Sequence, residues 1–276
     1  MNVNYQFLFK RVEIGGANSL AGYGAVGFPS LTAFLGLSQE WARALAGESS
    51  GRFLRRFAIV HHTGRPRMYG KYQDKFTQKR YFYADAAVPS KAEHWLSPPE
   101  EIRPQMDLTV SLLLEVRISA MRAAYLEQHP EQLHKVAGGR ALGGVVQSCG
   151  KVVAGSDALA LLRQAGRGYA IVDHTSALFP EQGEADPLDL LLDRLASAYD
   201  PESGEIFFMS HIGYLGISPE ALRTQARGAT LHVHGEPVFG LASFRRTFAL
   251  AAEDFIFWTP VLDRESQTYT LKGEKP

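Results

Sequence analysis

The chain has 276 residues, 45% of them hydrophobic, which is enough to build the core of one large domain or of two modest ones. A single cysteine excludes an internal disulfide and a cysteine-based zinc site, and the lack of a signal-peptide pattern or of an apolar run near ~20 residues predicts a soluble, cytoplasmic protein. The 29 basic and 29 acidic residues cancel overall, but the first 140 residues hold 18 Lys and Arg against 12 Asp and Glu, which favours a polyanion as a partner of that half.

The first predicted element is a strand over residues 5–14, whose side chains alternate in character. A loop with five glycines follows over residues 15–27 and leads into a helix predicted to start at Pro29. An apolar stripe marks that helix, made of Leu31, Phe34, Leu35, Leu37, Trp41 and Leu45. Backbone N–H groups beside the positive end of a helix suit an anion or a phosphate, so the loop is a candidate binding site. The alternative is a glycine-rich turn that only lets the chain bend.

One motif within this loop is misleading. Residues 22–27 spell GxGxxG, the pattern of dinucleotide-binding folds. In those folds the glycines follow the first strand directly, and an acidic residue ends the second strand. Here the first strand ends near Ile14, and the second ends in His61 and His62. The pattern therefore does not predict a dinucleotide site.

A second strand is predicted over residues 52–60, so the chain opens as strand, helix and strand, as ferredoxin-like and RRM-like folds do. Residues 63–104 are broken by Gly and Pro and interleave cations with aromatic side chains. The cations are Arg65, Arg67, Lys71, Lys75, Lys79 and Arg80. Because cations neutralise phosphates and aromatic rings stack on bases, we expect a basic arm that contacts nucleic acid. A solvated hairpin whose aromatic side chains face the core is the alternative.

The rest of the chain alternates between predicted strands and helices. The strands are expected over residues 106–118, 169–172, 205–209, 231–239 and 255–261, and the helices over 119–135 with a break at Pro130, 156–164 with Ser156 as N-cap, 187–199, and from Ser218. In the helix over 187–199, four leucines are expected to face inward: Leu188, Leu191, Leu192 and Leu195. The polar tail after Asp263 is expected to be loose.

Paired glycines at 138–139 and 143–144 bracket Arg140. Such pairs let a backbone approach a ligand closely, which makes Arg140 a candidate phosphate contact. A strand in which the glycines relieve crowding is an equally good interpretation.

Histidine is the residue to consider for catalysis. His61 and His62 at a predicted strand end are candidates for a general base on an RNA 2′-hydroxyl, the chemistry of a metal-independent endoribonuclease. His232 and His234 are candidates for two ligands of a metal site, but no third ligand lies nearby in the sequence, so a metal site is not predicted. Walker glycines are absent from the sequence, and the GxSxG string at residues 47–51 follows a predicted helix and precedes a predicted strand, so it lacks the strand-to-helix turn of a nucleophile elbow. We therefore predict a protein that is not an enzyme, without catalytic residues, metal or cofactor, and keep the endoribonuclease as the alternative.

Residues 18–36 resemble the signature of the Csy-two family, the Cas-five-type subunit of type I-F CRISPR surveillance complexes. The matching positions are Asn18, Gly27, Phe28, Pro29, Ala33, Phe34 and Gly36. Ala21, Gly22 and Tyr23 replace a Ser-Ser-Pro-like turn, and Val26 and Gln39 replace an aromatic residue and a histidine, which is typical of a divergent or minimal branch. Weaker similarities follow in the same order at residues 136–139, 168–172, 213–219 and 238–241.

The resemblance implies an α+β, ferredoxin-like or RRM-like (RAMP) fold, with an RNA-binding part over residues 1–150, the inserted basic arm at 63–104, and a β-rich half over 151–276. It implies a non-catalytic, antiviral-defence subunit of a Cascade (Csy) complex that binds and caps the 5′ handle of the crRNA. The expected RNA-binding residues are Asn18, Ser19, Gly22, Tyr23, Gly24, Phe28 and Arg140. The arm either clamps the crRNA or touches target DNA beside the PAM. The other implied partners are a Cas-seven-type backbone subunit and, where the complex has one, a large subunit.

Overall fold

The computed structural model describes residues 2–22, 25–48, 51–67, 104–180, 186–221, 232–251 and 254–275, with the backbone alone at 20–22 and 25–26. The strands are β1 (Asn2–Asn18), β2 (Leu20–Gly22), β3 (Ala25–Val26), β4 (Leu54–Pro66), β5 (Gln105–Ser119), β6 (Arg140–Ala141), β7 (Gly144–Ser148), β8 (Val152–Gly155), β9 (Tyr169–Asp173), β10 (Tyr199–Asp200), β11 (Glu205–Gly216), β12 (Gly235–Arg246), β13 (Phe257–Asp263) and β14 (Thr268–Glu274). The helices are α1 (Leu31–Ala46), α2 (Ala120–Gln128), α3 (Pro130–Val136), α4 (Ala158–Gln164) and α5 (Pro187–Ala196), with two 3-10 turns at Thr175–Leu178 and Thr247–Ala249.

A large antiparallel sheet forms the frame of this mixed α/β protein. β5 lies between β1 and β4 and pairs antiparallel with both, and β8 pairs antiparallel with the other edge of β1. Beyond β4 the sheet continues through β9, β12, β11, β14 and β13. β13 then returns to β4, where Trp258 lies opposite Phe57, so these strands close into a ring. One sheet therefore runs through both halves of the chain.

Helix α1 begins two residues after Pro29. The Ser30 hydroxyl accepts a hydrogen bond from the Ala33 N–H at 3.3 Å, which makes Ser30 the N-cap and corrects the predicted start. The helix ends at Gly47, whose φ of 77° suits glycine and closes the last turn. All six residues of the predicted apolar stripe are buried. The 3.6-residue period was therefore a sound guide to the face that packs on the sheet.

Both faces of the central strands are covered. Phe7, Phe9 and Phe57 point to one face and pack in a core that α1, α2 and α3 complete. Leu8 and Leu113 point to the other face, where α4 and the segment that leads into β13 cover them. The centre of the sheet is thus a buried layer, and strand ends, edges and loops carry the exposed backbone.

Several sequence predictions need correction in the second half. The tail after Asp263 forms β14, which pairs with both β13 and β11, so it is an ordered strand. Asp157 caps α4 instead of Ser156, because its carboxylate accepts hydrogen bonds from two N–H groups of the first turn. In α5 the side chains of Leu188 and Leu192 are 59% and 55% exposed, whereas Leu191 is buried as predicted. The helix predicted from Ser218 falls largely on residues 222–231, outside the described residues.

Candidate nucleic-acid interface

The end of β1 is the meeting point of four segments that are distant in the sequence. The Asn18 N–H donates to the Leu142 carbonyl at 2.7 Å, and the Ser19 N–H donates to the Pro104 carbonyl at 2.9 Å. The Ser19 carbonyl in turn accepts from the Gly27 N–H at 2.7 Å. Residues 18 and 19 are therefore held between the β6–β7 hairpin, the start of β5 and the chain that enters α1. We call this region the β1 junction.

The predicted glycine-rich loop is more ordered than expected. β1 extends to Asn18, past the predicted end at Ile14, and β2 and β3 form a small hairpin of their own. Gly22 lies at the end of β2, while Tyr23 and Gly24 lie outside the described residues. The hairpin follows Ser19 directly, so the predicted loop and the β1 junction are one continuous surface.

The β6–β7 hairpin lies directly on the backbone of β1. A Cβ atom placed on Gly144 would come within 2.3 Å of the Gly15 carbonyl oxygen, and one on Gly143 within 3.1 Å of the Asn18 side chain. Gly143 also has a φ of 83°, so the turn needs glycine for its conformation as well as for its contact. Gly143 and Gly144 thus let the hairpin backbone approach the backbone of β1, as expected if the glycines relieve crowding. They also bring the hairpin that carries Arg140 to the β1 junction.

Polar side chains lie beside the β1 junction, over Gly16. The Asp107 carboxylate accepts hydrogen bonds from the Arg67 side chain at 2.6 and 2.9 Å and from the Gly16 N–H at 3.1 Å. The Arg67 guanidinium lowers the pKa of Asp107 below its usual range, chiefly through these hydrogen bonds. A Cβ on Gly16 would lie 3.2 Å from Arg67 and 3.5 Å from the Gln105 side-chain oxygen. Amide and guanidinium groups therefore converge over Gly16.

Ser19 contributes a buried hydroxyl to the junction. The residue is only 2% exposed, and its Oγ has no hydrogen-bond partner among the described residues. A buried hydroxyl without a partner is costly, so such a group in a polar site is suited to a ligand that supplies the missing bond. Asn18, immediately before it, is exposed. These two residues form the centre of the candidate site.

The predicted cations reach the β1 junction from two directions. Arg140 is exposed and lies opposite Val145, which itself pairs with Gly15 of β1. Arg65 is exposed and lies opposite Asp107 in the β4–β5 ladder. The Arg67 N–H donates to the Gln105 carbonyl at 2.7 Å, so the two chain ends that lead into residues 68–103 are adjacent. Lys71, Lys75, Lys79 and Arg80 lie outside the described residues, but the root of the predicted arm lies at the β1 junction.

Phe28 occupies a different environment from the one predicted. Its ring stacks on Phe34 at 5.3 Å and meets the rings of His61, Phe208 and Phe244 edge-on at 5.3 to 5.7 Å. The residue is 6% exposed. Stacking of Phe28 on a base is incompatible with this packing, because the neighbouring rings already cover it. Phe28 supports the junction from within the core.

The sequence reading missed three polar residues of the junction: Gln105, Asp107 and Gln147. The Gln147 side chain lies over Gly15, where a Cβ would come within 2.3 Å of its amide nitrogen. Only the strand pairing brings them together, because β7 and β5 meet β1 from distant parts of the chain. No local pattern marks these residues.

His62 is fully engaged by its neighbours. Its Nδ1 lies 2.9 Å from the Arg167 carbonyl, which can only accept, so Nδ1 carries the proton. The Ser111 hydroxyl donates to Nε2 of His62 at 2.7 Å and accepts from the Arg11 N–H at 3.0 Å. Burial lowers the pKa of His62. With both nitrogens engaged, this side chain has a structural role in linking β4, β5 and the chain before β9.

The His61 side chain packs among aromatic rings. Its ring lies 5.2 Å from Phe244 and 5.5 Å from Phe28, and its Nε2 is buried without a partner among the described residues. Burial lowers the pKa of His61 to about 4. A base with so low a pKa is poorly matched to proton transfer near neutral pH. The ring of His61 is thus packed among aromatic side chains, and both nitrogens of His62 are hydrogen-bonded.

Acid is expected to destabilise the protein through His61. Its folded pKa of about 4 lies below the unfolded value of about 6.5, so its contribution is complete above the unfolded pKa and is lost as pH falls through this window. We expect a loss of about 2 kcal/mol in unfolding free energy at about pH 5, and expect His61→Phe to remove it. Urea unfolding of both proteins between about pH 7 and about pH 5 measures this difference.

A control separates this effect from general acid sensitivity. Met121 is 81% exposed and does not titrate, so Met121→Ala should unfold with the pH dependence of the wild type. If His61→Phe also keeps that dependence, the buried ring of His61 is not the group that titrates.

Two further findings concern other classes of site. Among the described residues, no three His, Cys, Asp or Glu side chains lie close enough to hold a metal ion, and His232 and His234 gain no third ligand there. Within the same residues, no helix is long and apolar enough to cross a lipid bilayer.

Comparison with models of known protein families identifies a match. A family model described as CRISPR-associated protein (Cas_Csy2) matches residues 7–207. This range includes the whole β1 junction, from Gly15 to Gln147. No curated protein matches the chain.

Proposed function

The chain belongs to the Csy2 family of CRISPR-associated proteins, and we propose that it is the non-catalytic type I-F subunit that binds and caps the 5′ handle of the crRNA. Membership of this family implies a subunit of a Cascade-type complex with crRNA and other Cas proteins. The observation that carries the finer proposal is the β1 junction. There the glycine-rich segment, the Arg140 hairpin and the root of the basic arm meet around Asn18 and Ser19.

The chemistry of the junction suits a single-stranded RNA end. Splayed bases offer Watson–Crick edges that amides and hydroxyls can bind, and phosphates are bound by guanidinium groups. Asn18, Gln105 and Gln147 supply amides, the Ser19 hydroxyl is buried and unpartnered among the described residues, and Arg140 is exposed beside them. Since both faces of the central sheet are covered, the loops and not the sheet face are the proposed RNA surface.

The order of elements supports a ferredoxin-like core as the fold of this proposal. β1, α1, β4, β5, the α2–α3 pair and β8 follow one another as β-α-β-β-α-β, the sequence of that motif. In space these strands lie in the order β4-β5-β1-β8, all antiparallel to their neighbours. The arm was predicted over residues 63–104, but residues 63–66 belong to β4, so the segment between the two strands runs from 67 to 104 and its ends meet at the proposed RNA surface.

The proposed partners follow from a capping role. The crRNA is expected at the β1 junction, next to the first Cas-seven-type backbone subunit that coats the guide. Target DNA beside the PAM and, where the complex has one, the large subunit are expected near the arm. The alternative, an endoribonuclease that uses His61 and His62, has less support, because one ring is buried among aromatic side chains and the other is bonded at both nitrogens.

Purification of the full chain with a transcript of the guide repeat tests this function. Bound RNA that has a uniform, repeat-derived 5′ end and is uncut by the isolated protein is expected. Cleavage at a defined position that is lost in a His61→Ala/His62→Ala variant would instead establish the endoribonuclease. Recovery of the protein without RNA, alone and with its backbone subunit, would contradict RNA binding.

The arm root is expected to contribute directly to affinity. Replacing Arg65, Arg67, Lys71 and Lys75 by Ala should reduce the slope of log Kobs against log salt by about 3, since each lost phosphate contact on single-stranded RNA contributes ~0.7. Arg140→Gln should reduce it by about 0.7. Fluorescence anisotropy with a repeat-handle RNA measures both slopes. An unchanged slope in the fourfold variant would remove the arm from the RNA surface.

A further inference from the structure

Residues 52–83 hold nine Lys and Arg residues, and those that the structure describes lie at the two ends of β4. Arg65 and Arg67 lie at the end of β4 next to the β1 junction, whereas Arg52 and Arg55 lie at its start. Because β4 is an extended strand of 13 residues, its ends are about 40 Å apart. The second group of cations is therefore too far away to contact the nucleotides held at the β1 junction.

Two cavities flank this second group of cations. They have volumes of about 430 and 440 Å³, and the Arg52–Arg55 segment lines both. Arg43 and Tyr269 line the first, and Arg117 lines the second. The Arg117 N–H donates to the Phe53 carbonyl at 2.8 Å, which fixes the segment on β5. The cavities thus lie side by side on an anchored stretch of backbone.

The charged side chains described on this surface are all cations. Arg43, Arg52, Arg55 and Arg117 line the two cavities, and among the described residues no carboxylate does. Glu115 is buried and shares its two oxygens between Arg55 and Arg56. In the described part of the chain, the guanidinium groups of Arg43, Arg52 and Arg117 have no ion-pair partner. We call Arg43, Arg52, Arg55 and Arg117 the arginine surface.

We infer that the arginine surface is a second nucleic-acid site, which binds the phosphodiester backbone of a strand that runs past the start of β4. Adjacent cavities along a row of guanidinium groups match a polymer with regularly repeated charge. The amides of Asn2, Asn4 and Gln39 and the rings of Phe53 and Tyr269 line the same cavities and offer polar and stacking contacts to nucleotides. A row of guanidinium groups beside rings that can stack on bases favours a nucleic-acid strand over an acidic protein surface, which the experiment below distinguishes.

Binding of unstructured RNA and DNA oligonucleotides of about 20 nucleotides to the full chain tests the proposal through its salt dependence. The triple variant Arg43→Gln/Arg52→Gln/Arg117→Gln should reduce the slope of log Kobs against log salt by about 2 and weaken binding about tenfold or more at low salt. The matched control replaces three exposed cations elsewhere: Lys151→Gln, Arg163→Gln and Arg246→Gln. Its slope should stay at the wild-type value, and thermal unfolding should confirm that both variants are folded.

Crosslinking separates this site from the β1 junction. With 4-thiouridine RNA or 4-thiothymidine DNA, crosslinked peptides should include residues 52–55 or 260–269 in the wild type and lose them in the triple variant. A reduced slope for RNA alone assigns the site to RNA, one for DNA alone assigns it to DNA, and one for both assigns it to either strand. Slopes that remain unchanged for both, with crosslinks only at the β1 junction, overturn the proposal and leave an acidic protein surface as the remaining ligand class.

Discussion

Replacing Gly144 by alanine is expected to displace the β6–β7 hairpin from β1. The added Cβ would lie 2.3 Å from the Gly15 carbonyl oxygen, 2.7 Å from the Gly16 carbonyl carbon and 2.8 Å from the Ala17 nitrogen. All three are backbone atoms of a paired strand, so a rotamer change cannot relieve the clash. We expect about 2 kcal/mol less unfolding free energy, the usual scale of overpacking. Because the hairpin bears Arg140, we also expect at least about tenfold weaker binding of handle RNA.

Gly138→Ala is the matched control for this change. Its Cβ would have one neighbour within 4 Å, the Lys135 carbonyl oxygen at 4.0 Å, and its backbone does not require glycine. Urea unfolding and RNA anisotropy of the two variants should therefore differ. If Gly144→Ala loses stability but binds handle RNA as the wild type does, the hairpin does not belong to the RNA surface.

The elements that the sequence predicted well are those that local periodicity specifies. The alternation in β1 and β5 and the apolar stripe of α1 come from residues that are near one another in the chain, and all three elements are present. β14 was missed because its sequence is polar, and its order comes from pairing with β11 and β13 on both sides. A strand held by two neighbours does not need an apolar pattern of its own.

The candidate site was predictable in part only. Asn18, Ser19 and Arg140 were singled out from two separate motifs, but the hydrogen bonds that join Asn18 to Leu142 and Ser19 to Pro104 arise from the strand order alone. The nine cations of residues 52–83 form one cluster in the linear sequence. The sequence does not show that β4 is an extended strand that separates the cations at its start from those at its end. Because β4 is extended, the described cations of this cluster lie on two separate surfaces, the β1 junction and the arginine surface.

Replacing Glu115 is expected to have the largest effect on stability. Glu115 is 3% exposed in the C-terminal part of β5, and its oxygens lie 3.3 Å from Arg55 Nε and 2.8 Å from Arg56 Nε. Arg56 is itself largely buried, with its guanidinium 4.3 Å from the centre of the Phe257 ring. Glu115→Gln leaves that cation without its carboxylate, and loss of one partner of a buried pair costs about 3 kcal/mol or more. Urea unfolding at neutral pH measures the loss.

Replacement of Arg55 and of Arg56 should change the unfolding free energy by different amounts. This difference tests whether the buried Glu115–Arg56 pair accounts for the loss in Glu115→Gln. The Arg55 side chain is 58% exposed, so Arg55→Gln should cost less than about 1 kcal/mol, as exposed ion pairs do. The double variant Glu115→Leu/Arg56→Met should recover most of the stability lost in Glu115→Gln, since a buried ion pair and an apolar pair of similar volume are often close in stability. Equal losses for Arg55→Gln and Glu115→Gln would contradict the assignment of the cost to Arg56. Because Glu115 also neutralises part of the arginine surface, Glu115→Gln should bind nucleic acid more tightly than the wild type while it remains folded.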